Sequence, residues 1–357
     1  MTGHRPQRGA TLNNESRRFN LPQREADGDW LDVRDALDGG AQPLRTTVTV
    51  EHPRTIITHN QSPDVPFDRS INPYRGCEHG CIYCFARPSH AFHDLSPGLD
   101  FETRLFAKPD APTLLRAELS RRGYAAKPIA FGTNTDPYQP IERDWRVTRA
   151  CIELLSHTGH PLTITTKSDR VTRDLDLLAP MAARGLAAVC VSLTSLTPKV
   201  AMTVEPRAPA PARRLVAVRA LSEAGVPTFV SVSPVIPHIT DGEMEAILTQ
   251  AAAAGARGAF FIPVRLPHEV APLFEAWLAE HFPDRAGKVM ATIRSLRGGR
   301  ANDPNFFTRM QGQGPWADLL RTRFRLACRR LGLQNGRLTL RTDLFRPPAG
   351  AQGELFG

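Results

Sequence analysis

Between residues 109 and 264 the chain switches repeatedly between two hydrophobic periods. Short apolar or alternating runs stand at 128–133 (PIAFGT), 161–167 (PLTITTK), 187–195 (AAVCVSLTS), 227–235 (PTFVSVSPV) and 258–264 (GAFFIPV), and each reads as a strand. A longer segment of helical period precedes each one, at 109–123, 144–158, 170–185, 209–225 and 241–255. With a further strand at 70–74, the pattern makes six β/α units and predicts a parallel sheet with helices outside it. Six units are too few to close an eight-stranded barrel. The expected α/β architecture is a partial (βα)6 barrel with its active site at the C-terminal ends of the strands.

The flanks read differently. Residues 1–45 carry Arg5, Arg8, Arg17, Arg18 and Arg24 among polar residues without a sustained period, which predicts a disordered, mildly basic arm. TTVTVEHPRTIITHN, at 46–60, reads as a strand or hairpin opening a barrel domain that runs to residue 266. Residues 267–346 form a basic extension packed on the barrel, and 347–357 a flexible tail. Within the extension, 314–330 reads as a helix with Leu319, Leu320, Phe324, Leu326 and Ala327 inward and a stripe of Arg321, Arg325 and Arg329 on its surface.

Composition narrows the class. At 357 residues and 41% hydrophobic, the chain buries a full core, and no run of about 18 apolar residues or apolar leader suggests a membrane, so a cytoplasmic protein is expected. Residues 284–346 hold thirteen Arg and one Lys against four Asp, a net of +10 in a chain of net +9. Segregated charge of this kind suits a polyanion such as nucleic acid; a solvated basic face is the plainer alternative. Phe306, Phe307 and Trp316 beside Arg300 and Arg309 are placed either to stack a base or to pin their loop. No phosphate-binding G-x-x-x-x-G-K-[ST] loop occurs, which argues against nucleotide hydrolysis.

The six cysteines divide into two groups. Cys151, Cys190 and Cys328 sit singly in apolar segments and read as core. Cys77, Cys81 and Cys84 fall within eight residues of NPYRGCEHGCIYCFARP, at 72–88, too close for a disulfide framework. A thiolate triad leaves a fourth metal position open. On zinc it would take water or one of His79, His90 and His93; on a four-iron cluster it would leave one iron free for substrate or cofactor. No second Cys/His pair lies downstream, which favours the cluster. Polar residues close the other expected strands: Thr133, Asn134, Thr135 and Asp136; Lys167 and Ser168; Ser192, Thr194 and Ser195; Ser233; and Arg265.

The C-x3-C-x2-C spacing with Tyr83 before the last cysteine resembles the cluster motif of the radical S-adenosylmethionine (radical SAM) superfamily. NPYRGC, YCFARPSH and GTNTDPYQPIE, at 132–142, are similar to the branch containing spore photoproduct lyase and DNA-repair-photolyase-like proteins, over about Thr46 to Pro347. The resemblance implies a TIM-like partial barrel of the radical SAM type. It implies a [4Fe-4S] cluster on Cys77, Cys81 and Cys84, with S-adenosylmethionine (SAM) on the open iron. Tyr83 would face the adenine, and Gly132, Thr133, Asn134 and Asp136 would lie about the methionine amine, although the superfamily's usual Gly-Gly-Glu is absent. Lys167, Ser168, Ser192 and Thr194 would serve the carboxylate and ribose, and Glu205 with Arg213 would form a further pair near the cofactor or a plain salt bridge. Reductive cleavage of SAM to a 5′-deoxyadenosyl radical, driven by a reductant such as flavodoxin or ferredoxin, is the implied chemistry; no catalytic residue is assigned. Two alternatives stand beside a nucleic-acid substrate: a radical enzyme modifying a protein or small molecule, and a non-catalytic metal-bearing nucleic-acid-binding protein. QGELF, at 352–356, resembles the short motif that docks repair proteins on the sliding DNA clamp, with Gln352, Leu355 and Phe356 as anchors.

Overall fold

A computed structural model describes residues 8–14, 16, 18, 45–334 and 338–348. Its main sheet has seven strands in the order β10–β9–β8–β7–β6–β3–β2. The strands are β2 (Ile57–His59), β3 (Arg69–Ile71), β6 (Ile129–Phe131), β7 (Leu162–Thr166), β8 (Ala187–Ser192), β9 (Thr228–Val235) and β10 (Gly258–Pro263). From β3 to β10 every pairing is parallel, and β2 joins antiparallel at the edge. The six parallel strands are the six units expected. No pairing joins β10 to β2 among the described residues, so the sheet stays open.

The central strand β8 is buried on both sides, while the edge strand β10 leaves Phe260 42% exposed. In β8 all six residues are buried: Val189 and Val191 join the core under the helices, while Ala188, Cys190 and Ser192 alternate onto the opposite face. Registers Thr165↔Cys190 and Ser192↔Ser231 place small and polar side chains together on that second face. The helices Val147–His157, Leu175–Ala183, Pro211–Glu223 and Met244–Ala253 cover the first, burying residues such as Cys151, Ile152, Leu178, Leu221 and Ile247.

Two departures have a common cause in proline. The stretch 46–60 is no hairpin: β1 (Thr47–Val50) pairs parallel with β5 (Arg104–Ala107), while β2 enters the main sheet. Pro53 separates the two, removing a donor where a continuous strand needs one. Likewise the strand expected at 70–74 is broken at Pro73 into β3 and β4 (Tyr74–Arg75), and β4 pairs antiparallel with β5. The resulting three-stranded sheet, β1–β5–β4, flanks the cysteine loop.

Part of the N-terminal arm is packed, against the expectation of a solvated tail. The amides of Gly9 and Ala10 donate to the Glu102 carboxylate at 2.9 and 2.8 Å, and Arg18 Nε reaches Glu269 at 2.8 Å. A Cβ on Gly9 would stand 1.5 Å from the Gly80 carbonyl oxygen, so only glycine allows this approach to the cysteine loop. The remainder of the arm lies outside the described residues, as does the 352–356 motif.

The basic extension surrounds the barrel. Helices Val270–His281 and Pro283–Leu296 share an apolar cluster with Ile82 and Tyr83 of the cysteine loop, centred on Trp277. Helix Pro315–Leu331 lies on Met244–Ala253 and β10, burying Leu320, Phe324 and Ala327. Leu319 and Leu326 are 54% and 48% exposed, a correction to the expected inward set; the buried face is narrower than a five-residue stripe. The arginine stripe is partly engaged: Arg321 pairs with Asp318 and reaches the Gly312 carbonyl, leaving Arg325 and Arg329 exposed. Residues 338–346 then run beneath the N-terminal ends of the strands, where Arg341 N donates to Gly185 O (2.9 Å) and Arg346 N to Thr158 O (2.8 Å). The excess charge is therefore spread around the barrel and extends to the end opposite the cysteine loop.

Candidate metal and cofactor site

The cysteine loop follows β4 and is shaped by two residues outside the expected set. Arg87, fully buried, donates to the carbonyls of Cys81 (3.0 Å), Gly98 (2.9 Å), Pro97 (3.1 Å) and Gly80 (3.2 Å) and pairs with Glu102 at 2.5 Å. Gln139 accepts from the Glu78 amide (3.1 Å) and donates to the Gly76 carbonyl (3.0 Å), fastening the loop to the segment after β6. Neither has a signal in period or spacing beyond its place in the YCFARP and GTNTDPYQPIE flanks.

Cys77 and Cys81 are buried, Cys84 is half-buried, and all three are free thiols. Burial pushes the Cys81 thiol up to about 12, and burial with Asp136 and Cys81 nearby moves Cys77 strongly the same way. Thiolates there require a bound cation, which iron supplies; the donor set fits a cluster. Among the described residues no three His, Cys, Asp or Glu side chains converge as one metal ion requires. Of the histidines considered for a fourth metal position, His79 faces Asp136 at 3.4 Å, His90 Nε2 bonds the Arg104 carbonyl at 2.9 Å and His93 packs on Phe106, while His79 Nδ1, His90 Nδ1 and His93 Nε2 are buried without a hydrogen-bond partner.

Beside the loop lies a buried polar network. The Tyr83 hydroxyl donates to Glu205, and the Thr194 hydroxyl lies 2.7 Å from the same Glu205 oxygen and 3.1 Å from the Ser233 carbonyl. Arg214 meets the other Glu205 oxygen at 2.5 Å and the Ser192 carbonyl at 3.1 Å. Lys167 Nζ stands 5.7 Å over the Tyr83 ring. Burial alone would raise the Glu205 carboxyl, but Arg214 and Lys167 hold it down to about 2. Burial likewise disfavours a charged Lys167, yet Cys81, Glu205 and Asp136 outweigh it and raise its pKa. The Ser233 hydroxyl at the end of β9 is buried with no partner, a donor left for a bound group.

The pairing of Glu205 with Arg213 is corrected. Arg213 is 70% exposed and binds Asp169 at 2.6 Å, while its neighbour Arg214, about 100° around the helix, turns inward. Sequence spacing cannot separate adjacent arginines where the helix phase is set by burial.

The residues after β6 are placed but largely committed. A Cβ on Gly132 would stand 1.9 Å from the Thr165 carbonyl oxygen, and its φ of +82° favours glycine, so this residue lets β6 end against β7. Thr133 exchanges hydrogen bonds with Asn72, whose Oδ1 also accepts from the Asn134 amide at 3.1 Å. Asp136 accepts from the Lys167 amide (2.7 Å), the Thr166 hydroxyl (2.6 Å) and the Tyr138 amide (2.9 Å); despite burial, His79 and these donors keep its pKa low. Ser168 caps the turn after β7 by accepting from the Arg170 amide at 3.3 Å. Ser192 ends β8 on the open face of the sheet. Tyr83, Lys167, Thr194 and Glu205 are therefore gathered at the cysteine loop; Gly132, Thr133, Asn134, Asp136 and Ser168 shape its border.

Residues 71–251 match the family model described as "Radical SAM superfamily". An uncharacterized protein of Mycobacterium tuberculosis (strain ATCC 25618 / H37Rv) is 40% identical over 232 residues, 64% of this chain and 68% of its own length. Among solved structures, spore photoproduct lyase complexed with dinucleoside spore photoproduct superposes with a TM-score of 0.56 at 17% identity, covering 80% of this chain and 81% of that one. A spore photoproduct lyase mutant with bound AdoMet and dinucleoside spore photoproduct gives 0.57 at 16% identity, covering 86% and 93%. At these identities the likeness to the lyase is one of fold.

Proposed function

We propose that this chain, which belongs to the radical SAM superfamily, cleaves S-adenosylmethionine reductively and uses the resulting radical on a nucleic acid or nucleotide-linked substrate. Its cofactors are a [4Fe-4S] cluster and SAM. When bound, they supply one-electron cleavage of the sulfonium C–S bond and a 5′-deoxyadenosyl radical for hydrogen abstraction. Cys77, Cys81 and Cys84 hold the iron. The observation that carries the reading is the junction of these thiols with the buried Tyr83–Thr194–Glu205–Arg214 network, fixed charges beside an unpartnered Ser233 hydroxyl. Tyr83, locked by Glu205, presents its ring at the loop; Lys167 and Ser233 offer donors to the cofactor's polar groups.

The nucleic-acid part is supported by the fold shared with a lyase whose structures hold a dinucleoside photoproduct, and by the exposed Phe85 ring with the half-buried Arg265 over it, directly after Cys84. An electron donor of the flavodoxin or ferredoxin type, a cytoplasmic location, and clamp docking through Gln352, Leu355 and Phe356 belong to the same proposal. Among the described residues no helix is long and apolar enough to cross a membrane.

The test is anaerobic reconstitution with iron and sulfide, reduction with dithionite in the presence of SAM, and assay of 5′-deoxyadenosine, with Cys77→Ala beside the native protein. Formation by the native protein alone supports the proposal. A colourless, zinc-bearing protein that leaves SAM intact while binding DNA overturns it in favour of a binding module. Radical formation with salt-insensitive or absent DNA binding shifts the substrate to a protein or small molecule.

A further inference from the structure

Arg265 follows β10 at the strand ends that carry the cysteine loop. Its guanidinium lies 4.8 Å from the ring of Phe85, the residue directly after Cys84. It is half-buried, with the Arg309 and Arg297 cations and the Asp64 carboxylate near it. Among the described residues it makes no hydrogen bond or ion pair. The nearby acids are taken: Asp64 is bound by Arg309 at 2.6 and 2.7 Å and by the Phe307 amide, and Asp303 by Thr308 and the Asn305 amide. Arg297 is buried among the carbonyls of Pro263, Val264, Thr308 and Arg309, with no carboxylate bonded to it. Arg265 is thus the guanidinium of this patch left open to an incoming anion, its nitrogens bonded to no protein acceptor among the described residues.

Its surroundings say what carries that anion. Phe85 is 47% exposed, and Phe306 and Phe307 are 49% and 58% exposed. Arg309 stacks 4.8 Å over Phe306, repeating the Phe85–Arg265 arrangement. Alternating exposed rings and guanidinium planes bind a planar ring by stacking and its attached anion by charge.

We infer that Arg265 is the substrate's anion anchor, taking a phosphate whose attached base stacks on Phe85. This rests on the nucleic-acid reading above and names the contact that reading lacks. A planar ring and its phosphate would then lie beside Cys84, at the rim of the radical site. The methionine carboxylate of SAM is the other anion that could reach this guanidinium, and the test separates the two.

The experiment uses the reconstituted full-length protein and measures binding of thymidine 5′-monophosphate, thymidine, a twelve-residue oligothymidylate and SAM to native, Arg265→Gln, Arg265→Lys and Phe85→Leu proteins. The native protein should prefer the monophosphate to thymidine. Arg265→Gln should lower monophosphate affinity about tenfold without affecting thymidine, Arg265→Lys should recover most of it, and Phe85→Leu should weaken both. Arg265→Gln should also reduce the salt slope of oligothymidylate binding by about one. Should the glutamine form not fold, the salt dependence of the native preference for monophosphate over thymidine decides, since an anion contact must weaken with salt. Equal monophosphate affinity in native and Gln proteins overturns the inference, as does a loss confined to SAM. Oligothymidylate binding that survives Arg265→Gln unchanged removes the anchor but keeps the nucleic-acid reading. Monophosphate preference without oligothymidylate binding supports the anchor and confines the substrate to a nucleotide-linked one, and no binding of either by the native protein removes both.

Discussion

Replacing Glu205 by glutamine is the sharpest probe of the buried network. Glu205 is 2% exposed and faces the Arg214 and Lys167 cations. Burial opposes its charge, yet those cations hold its carboxyl at about 2, against an ordinary 4.5. That depression of the folded-state carboxyl is worth roughly 3 kcal/mol of stability. The sign follows: the contribution is full above the ordinary carboxylate pKa and disappears as pH falls from about 4.5 toward 2. Glutamine keeps the shape but leaves both cations unbalanced, so Glu205→Gln should destabilise by about 3 kcal/mol at pH 7, the low end for breaking a buried pair. With an unfolding entropy of about 0.75 kcal/mol/K for a chain of this size, the midpoint should fall by about 4 °C. Urea unfolding of iron-free protein at pH 7, 5, 4 and 3 measures this, with the gap between native and variant narrowing at the acid end. A gap under about 1 kcal/mol at pH 7, or one constant with pH, refutes the reasoning.

Arg213→Ala should change stability by under about 0.5 kcal/mol and leave 5′-deoxyadenosine formation within twofold of native, whereas Arg214→Met should lose about 3 kcal/mol and most of that activity; urea unfolding and the SAM cleavage assay decide. Gly132→Ala should cost about 3 kcal/mol, because a Cβ at φ +82° meets the Thr165 carbonyl, and thermal unfolding checks it. Arg87→Met should reduce iron bound after reconstitution to less than half of native, since five acceptors around the cysteine loop lose their donor. Retention of native iron content by that variant means that the loop holds its shape without Arg87.

Much of this fold is legible because burial imposes period. A β8 buried at all six positions can only be an apolar run, and the helices of 3.6 period around it follow from one-sided packing. What escapes is set by long-range contact. The helical signal does not say that Arg214 faces Glu205 and Arg213 faces solvent, because adjacent arginines carry the same composition and the phase comes from Ala217, Val218 and Leu221. The breaks at Pro53 and Pro73 are visible as prolines, but the sheet exchange they permit depends on β5, a four-residue strand with no local signal. The packed arm is hidden for a similar reason: its attachment is two backbone amides meeting Glu102, about ninety residues away.

Charge explains why the site takes this form. Without cofactors, the network sets Lys167 and Arg214 against Glu205 and Asp136, two buried cations against two buried carboxylates. An oxidised four-iron core of charge +2 with three thiolates carries −1, and SAM, with its sulfonium, ammonium and carboxylate, carries +1. The protein and the cofactors are thus separately neutral, which keeps the penalty of burying so many charges within what hydrogen bonding offsets. In a site so balanced, an unpaired guanidinium stands out. Arg265, at the rim and outside this network, bonds to none of these groups, so whether it takes a substrate phosphate or the SAM carboxylate is read directly from the monophosphate and SAM affinities of Arg265→Gln.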